Sequence, residues 1–462
     1  MKKEIKIITG LVFCLLCFNS IYAGDSLTFS LDDAVNYALK HSESMKIEQA
    51  GVKSADAGTM IAGAGFLPKV SASASYTKLG KTSNFDMLSP SYGMMQMPVF
   101  GPMGDTIGFT VVPGIIGADT ISIPMGQEEN YITQLTVQQP IFTWGKIISG
   151  YQISKLNLDA TKEDYRKNKN ELILNVTKAF YGIIVLEEFV KITEDGYKQL
   201  QKHTNVIEKR YNEGLASKFD LLRVKVQLTN MEPQLIKAKD GLELAKNGFK
   251  LMLGLKQNEN IKLEGKLDYE PITIELEKST KIAQVNRPEI KSMNMRKEMA
   301  KKALFINRTS NLPNIVAIGN YSYKKPLYFT NEWGTDWNVT LAAQMQIFSG
   351  FENLGRVRQA SAQLSQAEHG LNLIKEGIKM EVQSTYLQLE QAKKLVTSQK
   401  ENISQAEEAL KIVEQRYNNG LATSLEVMDT QLALMQAKTN RLQALSDYVI
   451  AKCAFEKAVG GK

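Results

Sequence analysis

One motif occurs twice along this chain, and that internal repeat limits its possible folds more than any other feature of the sequence. Arg-Tyr-Asn-Glu-Gly-Leu-Ala-Ser at residues 210–217 returns as Arg-Tyr-Asn-Asn-Gly-Leu-Ala-Thr at residues 416–423, which is 206 residues later. Ile141 and Ile347 keep the same spacing, and each is followed by phenylalanine. Separated matches at one fixed spacing indicate two copies of a single structural plan.

The first copy is longer than the second, since matching residues early in the two copies are farther apart than matching residues late in them. Leu67-Pro68 and Leu312-Pro313 are 245 residues apart, so about 39 additional residues lie in the first copy, between about residues 80 and 130. This stretch contains six methionines, five prolines and many glycines without a regular period, which predicts a long loop. The predicted division is a first repeat over 24–265, including this loop, and a second repeat over 266–462.

Residues 1–23 predict a secretory signal peptide rather than part of the fold. Three lysines precede an apolar run over residues 7–18, and the small residue Ala23 follows. That run is shorter than the ~20 residues of a membrane-spanning helix, and no later segment reaches this length, so any membrane crossing would use strands. Cleavage before Cys17 with lipid attachment is an alternative. Beyond the signal only Cys453 remains, so no internal disulfide is expected.

Long coiled-coil helices are predicted in both copies. Apolar residues over 172–211 and again over 378–417 recur in alternating steps of four and three. From residue 148 to 211, at ~1.5 Å per residue, the first helix would be about 96 Å long. An Asn-x-Gly turn follows each long helix, and a returning helix then runs to Gly254 or Gly460. These helical hairpins also fit an alternative, an exported and non-conducting coiled-coil scaffold.

Two strands are predicted before each helical hairpin. Alternation of apolar and polar residues predicts strands over 69–78, 131–137, 315–323 and 337–347, with aromatic residues near their ends. Such a pattern is typical of membrane barrel strands but equally fits a periplasmic β-hairpin. Four strands are too few to close a barrel, whereas three copies of the chain would supply twelve and leave no unpaired backbone in lipid.

Residues suited to catalysis, metal binding or nucleic-acid binding do not form recognisable motifs. His41, His203 and His369 are scattered, and the sequence has no glycine-rich phosphate loop. The net charge of +7 comes from lysine and glutamate interleaved along helices, which does not indicate a nucleic-acid surface. We therefore predict a protein that is not an enzyme and has no cofactor, no metal and no nucleic-acid partner.

Several segments, taken together and in order, resemble the TolC family of outer-membrane efflux and secretion channels over the whole mature chain. They are the opening Ser-Leu-Asp-Asp-Ala-Val-Asn-Tyr-Ala-Leu over 30–39, the Leu-Pro pair before a strand in each copy, Gln-Pro-Ile-Phe over 139–142, and the repeated Arg-Tyr-Asn-x-Gly-Leu-Ala turn.

This resemblance implies a mainly α fold with a small β part. Long coiled-coil hairpins would form an α-barrel, and four β-strands per protomer would contribute to a trimeric twelve-stranded β-barrel in the outer membrane of a Gram-negative bacterium. It also implies passive conduction from an inner-membrane pump to the outside, in a tripartite efflux or type I secretion system. The partners would be two further copies in a homotrimer, a periplasmic adaptor, the pump and outer-membrane lipid. The cargo stays open among drugs, metals and proteins.

A gate is predicted where the second returning helix begins. Glu426 and Asp429 are three residues apart and share a helix face. The family often carries two acidic residues here, so three protomers would form a ring of six carboxylates at the periplasmic entrance, a ring that repels itself and binds cations. Their alternative role is stabilisation of a helix N-terminus. Ala422 stands where some relatives have a basic residue, so Asp220, Tyr211 and Tyr417 are candidates for other links that close the entrance.

The two turns themselves match the family's adaptor-docking tips. Their small residues would let a partner's helical hairpin approach closely, although helix capping explains the same residues. The candidate docking residues are Gly214, Leu215, Ala216 and Ser217 in the first copy and Gly420, Leu421, Ala422 and Thr423 in the second.

Overall fold

The computed structural model describes residues 27–328 and 330–461. The predicted signal peptide and Cys17 lie outside the described residues. The first copy contains β1 (Leu27–Phe29), α1 (Leu31–His41), α2 (Glu43–Gly63), a 3-10 turn (Ala64–Phe66), β2 (Lys69–Lys78), β3 (Ser83–Phe100), β4 (Thr106–Met125), β5 (Glu129–Phe142), α3 (Lys146–Asn212) and α4 (Lys218–Leu253). It ends with β6 (Ile261–Leu263), and the second copy contains α5 (Leu276–Asn286), α6 (Pro288–Arg308), β7 (Asn314–Lys325), β8 (Gly334–Gln344), α7 (Glu352–Asn418) and α8 (Ser424–Val459).

The chain is mainly helical, and corresponding helices of the two copies are equally long. α3 and α7 each have 67 residues, and α4 and α8 each have 36. At ~1.5 Å per residue, α3 and α7 are each about 100 Å long. The long helices that the heptads predict are therefore present. α3 begins at Lys146 and ends at Asn212, within two residues of the predicted ends at 148 and 211. In the described residues, no helix is both long and apolar enough to cross a membrane.

The described residues form two compact units, and each unit takes residues from both copies. One unit is helical and contains the chain up to Gly58, Ile153–Lys301 and the chain from Ser361 onward; the other contains Thr59–Gln152 and Lys302–Ala360. A division at 265/266 follows the sequence repeat instead, and it stays a prediction.

The core of the helical unit follows the predicted heptads. Val176 and Ile183 of α3 are buried with Leu253 of α4 in one apolar cluster, and Val382 of α7 is buried with Tyr448 of α8 in another. A third cluster lies near the turns and draws on both copies, because it contains these residues of α3, α4 and α8: Leu200, Ile207, Leu221, Val224, Met231 and Met428. Buried apolar side chains of this kind supply most of the stability of such helices.

A four-stranded antiparallel sheet dominates the second unit, in the order β2-β5-β7-β8. The pairing of β5 with β7, for example Leu135 opposite Tyr321, joins strands of the two copies. β2 has the bounds that its alternation predicts, whereas the fourth strand, predicted over 337–347, lies at Gly334–Gln344. β2 and β8 are the edge strands of this sheet.

One face of this sheet is apolar and the other is polar. Side chains directly opposite in an antiparallel pair share a face, and they alternate along each strand. The apolar face carries largely exposed residues from all four strands: Val70, Tyr76, Leu135, Val137, Tyr321, Tyr323, Trp337, Val339 and Leu341. On the polar face, Asn320 Oδ1 accepts hydrogen bonds from Gln134 (2.9 Å) and Thr136 (2.8 Å), and Asn320 donates to Asn338 (3.1 Å).

The prediction of a long loop over 80–130 is wrong. This segment contains β3 and β4, which pair with each other as an antiparallel hairpin between β2 and β5. The pairing is interrupted by irregularities after Ser91 and after Val99. Each irregularity resets the alternation in one strand, and prolines such as Pro90 and Pro98 lie within β3, so no single two-residue period runs through the segment.

Candidate functional site

The two turns that follow α3 and α7 have the same backbone geometry. Gly214 has φ 74° and Gly420 has φ 73°, in the left-handed region that glycine adopts without steric cost. In each turn the next leucine donates its backbone N–H to the carbonyl of an arginine in the last helical turn. These bonds are Leu215 to Arg210 (2.7 Å) and Leu421 to Arg416 (2.8 Å). Leu215 is 74% exposed and Leu421 is 68% exposed.

The helices that leave these turns are capped differently. In the first copy, Ser217 Oγ accepts the backbone N–H of Asp220 at 3.1 Å and donates to the Asp220 carboxylate at 2.6 Å. In the second copy, Thr423 Oγ1 accepts the backbone N–H of Glu426 at 3.2 Å, and the Glu426 carboxylate accepts the backbone N–H of Thr423 at 2.6 Å. The second arrangement is a reciprocal capping box.

The side chain of Glu426 is exposed, but its carboxylate is hydrogen-bonded to Thr423 at the N-terminus of its own helix. The hydrogen bond from the Thr423 backbone N–H, followed by the bond from the Thr423 hydroxyl, lowers the pKa of the Glu426 carboxyl. Asp429, one helical turn later, is also exposed. Within 27–328 and 330–461, no hydrogen bond or ion pair joins either acid to Asp220 or Tyr211. The predicted gate residues thus lie close to the turns, but Asp220 is hydrogen-bonded to its own cap, Ser217, and not to Glu426 or Asp429.

Tyr417, one of the predicted link residues, does contact the other copy. The guanidinium of Arg210, at the end of α3, lies 4.6 Å from the centre of the Tyr417 ring. The ring of His203 meets Tyr417 edge-on, with 5.6 Å between ring centres. The end of α7 is therefore held against α3 by an aromatic and cationic contact.

His203 is a residue of this region that the sequence reasoning missed. It is 9% exposed, and its Nε2 atom shares a hydrogen bond of 2.8 Å with Ser424 Oγ, at the start of α8. Burial, and then the nearby Arg210 charge, lower the pKa of the imidazole. The heptad frame could have indicated it, because position 203 lies beside the buried positions 200 and 204 of α3. Among the described residues, no cluster of three or more His, Cys, Asp or Glu could hold a metal.

A half-open cavity of about 340 Å³ lies behind these contacts, between α3, α4 and α8. Its lining combines the apolar Met231, Met428 and Met435 with the cationic ends of Lys198 and Lys438. The contacts of the turns and of His203 therefore lie next to a loosely filled part of the helical unit.

The chain combines repeated helical hairpins and matched turns with an antiparallel sheet that has an apolar face. Comparison with known families shows which family has this combination. The chain belongs to the outer membrane efflux protein family, whose model matches residues 114–255 and 280–461. The two matched segments fall one in each copy. The predicted resemblance to TolC-type channels is confirmed, and the chain is an outer-membrane protein whose helical part forms the periplasmic tunnel of this family.

Curated relatives are similar over most of their length. The outer membrane efflux protein BepC of Brucella suis is 20% identical over 357 residues, which covers 75% of this chain and 77% of BepC. The pyoverdine export outer membrane protein OpmQ of Pseudomonas putida is 22% identical over 442 residues, which covers 93% of this chain and 86% of OpmQ. These relatives carry the names of efflux and export proteins rather than of enzymes.

Solved structures show the same fold at low sequence identity. VceC of Vibrio cholerae superimposes with a TM-score of 0.74 at 18% identity, covering 93% of this chain and 96% of VceC. The CmeC outer membrane channel of Campylobacter jejuni gives a TM-score of 0.76 at 17% identity, covering 93% of this chain and 85% of CmeC. The α and β arrangement of the chain is therefore that of known outer-membrane channels.

Proposed function

We propose that this chain is one protomer of a homotrimeric channel that passively conducts substrates across the outer membrane. It would receive them from an inner-membrane pump through a periplasmic adaptor, in a tripartite efflux or type I secretion system. The observation that carries this proposal is the sheet with one apolar and one polar face. Its edge strands β2 and β8 would pair between neighbouring protomers, and three copies would close a twelve-stranded barrel.

The apolar face supports lipid contact, and the polar face supports a water-filled lumen. Trp337 is 71% exposed, and Val339 and Leu341 are 73% and 71% exposed, although all three are apolar. Such a contiguous apolar face is unfavourable in water but suits hydrocarbon. A non-conducting periplasmic scaffold would leave this face in water, so the sheet favours the channel.

Two matched substitutions test which face meets lipid. Val339→Lys puts a charge on the apolar face, and Asn338→Lys puts the same charge on the polar face one residue away. A lysine in the hydrocarbon costs about 2–4 kcal/mol near the bilayer midplane. We expect Val339→Lys to lose outer-membrane assembly, whereas Asn338→Lys should assemble and shift the selectivity of single-channel currents. Equal tolerance of both lysines would contradict the channel.

We propose that Glu426 and Asp429 of three protomers form an acidic ring at the periplasmic entrance, and that Tyr417, with Asp220 and Tyr211 nearby, helps to hold the entrance closed. Their exposed positions at the start of α8 support this role. Purified wild type should give small, cation-selective currents in planar bilayers. The double variant Glu426→Ala/Asp429→Ala should conduct more or lose selectivity. Unchanged currents would leave the channel but reduce these acids to helix-terminal residues.

We also propose that the turns over 214–217 and 420–423 dock the adaptor. Leu215 and Leu421 support this, because most of each side chain is exposed at the tip of a tight turn, where it offers an apolar anchor to a partner. Leu215→Ser and Leu421→Ser should abolish substrate export by cells while leaving the level and conductance of the channel unchanged. Full export by the double variant would argue against docking at these tips. Since the relatives' names range from pyoverdine export to toxin and drug export, we propose that the pump selects the cargo.

A further inference from the structure

The β3–β4 hairpin (Ser83–Phe100 with Thr106–Met125) is a long structure that neither copy's core covers. Its strands have 18 and 20 residues and pair with each other in a separate two-stranded sheet. At ~3.4 Å per residue, β3 is about 61 Å long. An isolated two-stranded hairpin is at best marginally stable in water. This hairpin therefore needs a surface to pack against.

Its exposed surface is unusually apolar. Seventeen apolar side chains between residues 85 and 123 are more than a third exposed: Phe85, Met87, Leu88, Tyr92, Met94, Met95, Met97, Val99, Phe100, Met103, Ile107, Phe109, Val111, Ile115, Ile116, Ile121 and Ile123. At roughly 100 Å² each, they present on the order of 1,700 Å² of side-chain surface, against the ~800 Å² that each partner gives to a stable interface. A patch of this size indicates an interaction surface.

Both faces of the outer half of the hairpin are apolar. Tyr92 opposite Ile115 marks one face, and Met95 opposite Val112 marks the other. Tyr92 is 74% exposed, and Met97, which shares the face of Met95, is 50% exposed. A flat membrane surface or a single partner would cover one face and leave the other in water. A ring of three hairpins gives each hairpin two neighbours, one for each face.

The hairpin is suited to packing through its faces rather than through its strand edges or through contact with charged lipid. Pro90, Pro98 and Pro113 lie within the strands and have no N–H to donate, which disfavours pairing with an added strand. No lysine, arginine or histidine occurs between residues 82 and 145, so the hairpin has no cation to bind anionic lipid headgroups.

The connections of the sheet place the hairpin at one end of the sheet, opposite to the end from which the chain enters α3. It is inserted after Lys78 of β2, whereas β5 ends at Phe142 before the chain enters α3. With the helices in the periplasm, this end faces outward. A twelve-stranded barrel with ~4.8 Å between strands and a tilt of about 40° is about 24 Å across. Each hairpin is thus long enough to reach the barrel axis.

We propose that the β3–β4 hairpins of the three protomers pack face to face around the three-fold axis and cover the external mouth of the channel. This inference rests on the proposed trimer. The face that carries Met95 and Met97 in one protomer contacts the opposite face, which carries Tyr92 and Phe109, in the next protomer. The insertion therefore forms an external cap built from three copies of the same hairpin.

Disulfide crosslinking tests this contact directly. In a Cys453→Ser background, Met97→Cys/Phe109→Cys places two thiols on opposite faces of one hairpin, where they point apart and cannot bond within the chain. We expect oxidation of purified trimer to give covalent dimers and trimers, while each single cysteine variant stays uncrosslinked. The oligomeric state and conductance of the same sample are measured first. A conducting trimer without crosslinks would overturn the cap alone, and a non-conducting monomer would overturn both proposals.

Removal of the hairpin gives a second, independent readout. Joining Thr82 to Gly126 deletes residues 83–125 and keeps the hydrogen bond from Leu79 N–H to the Glu128 carbonyl (2.7 Å) that closes the β2–β5 pair. We expect this variant to remain trimeric with a larger single-channel conductance and unchanged cation selectivity. An unchanged conductance in the trimeric deletion variant would show that the hairpins do not cover the mouth.

Discussion

The two copies of the repeat agree in every helix and differ where the strands connect. α1 and α5 have 11 residues each, α2 and α6 have 21, and the long pairs match in the same way. Between the strands, the first copy inserts a hairpin of two strands, while residues 326–333 connect β7 to β8. Helices that pack side by side must keep one heptad register, so a changed length would misplace every later contact. A connection at the end of a sheet has no such restriction.

Equivalent positions of the two copies also hold different residues. Ser42 and Arg287 both follow an 11-residue helix and end it as the C-cap. Ser42 is buried and shares a hydrogen bond of 2.7 Å with Ser44. Arg287 is also buried, and it makes ion pairs with Glu289 (2.9 Å) and Glu381 (2.7 Å). It also donates to the backbone carbonyls of Lys457 and Ala458, both at 3.2 Å, at the end of α8. The second copy thus fixes the end of its returning helix through a buried charge.

The largest expected effect is the loss of stability on replacing Arg287, which removes the buried charge that the first copy lacks. Arg287→Ala removes the guanidinium that bonds Glu289, Glu381 and two carbonyls at the end of α8, although Glu381 keeps Lys457 at 3.9 Å. Removing one partner of a buried ion pair costs about 3–5 kcal/mol. Ser42→Ala, the matched change in the first copy, removes one neutral hydrogen bond worth about 1 kcal/mol. Urea unfolding of both variants in detergent would measure the two losses. Equal losses would mean that the two ends are held with equal strength.

A second prediction concerns two glycines of the first copy with nearly the same backbone. Gly254 has φ 79° and Gly214 has φ 74°. A Cβ at Gly254 would lie 2.8 Å from the backbone oxygen of His41, whereas a Cβ at Gly214 would meet open space. Alanine at Gly214 carries the left-handed penalty of about 1–2 kcal/mol, and alanine at Gly254 adds a backbone displacement, for about 2–4 kcal/mol. Thermal unfolding midpoints should fall further for Gly254→Ala, and the reverse order would refute this account.

Much of the repeat could be predicted from sequence because its signals are local and sustained. The heptads of α3 and α7 run for about ten turns, and the alternation of β2 gives its bounds, residues 69–78. The β3–β4 hairpin could not be found in this way, because both of its faces are apolar and its pairing shifts after Ser91. His203 was missed for a different reason. The heptads could have indicated burial at position 203, but its hydrogen-bond partner, Ser424, is 221 residues away in the other copy, and a local pattern gives no information on that contact.

The contact between copies at His203 gives a third and smaller prediction. Burial lowers the pKa of His203 in the folded chain, so the unfolded chain binds the proton more readily. The stability that this histidine contributes is therefore full above its ordinary pKa of ~6.5 and is lost as the pH falls through the lowered value. His203→Gln keeps a hydrogen-bonding side chain beside Ser424 but cannot titrate.

We expect the His203→Gln variant to lose part of the decline in unfolding free energy that the wild type shows as the pH falls below about 6.5. His369→Gln, at an exposed histidine of α7, is the control and should follow the wild type. Ser424→Ala should cost about 1 kcal/mol at neutral pH by breaking the bond between the copies. Parallel pH profiles for wild type and His203→Gln would show that this histidine does not couple protonation to stability.

The smallest expected effect on stability separates the two roles of Glu426. Its carboxylate accepts the Thr423 backbone N–H, and the same bond lowers its pKa, so the charge and the cap coincide in one group. Glutamine also serves at this position of a capping box, so Glu426→Gln keeps the cap and removes the charge, whereas Glu426→Ala removes both. If the entrance ring depends on charge, Glu426→Gln should reduce cation selectivity as far as Glu426→Ala does, while only the alanine variant loses stability. If Glu426→Gln keeps full selectivity, capping is the role of this glutamate, and the entrance charge must come from Asp429 or other residues.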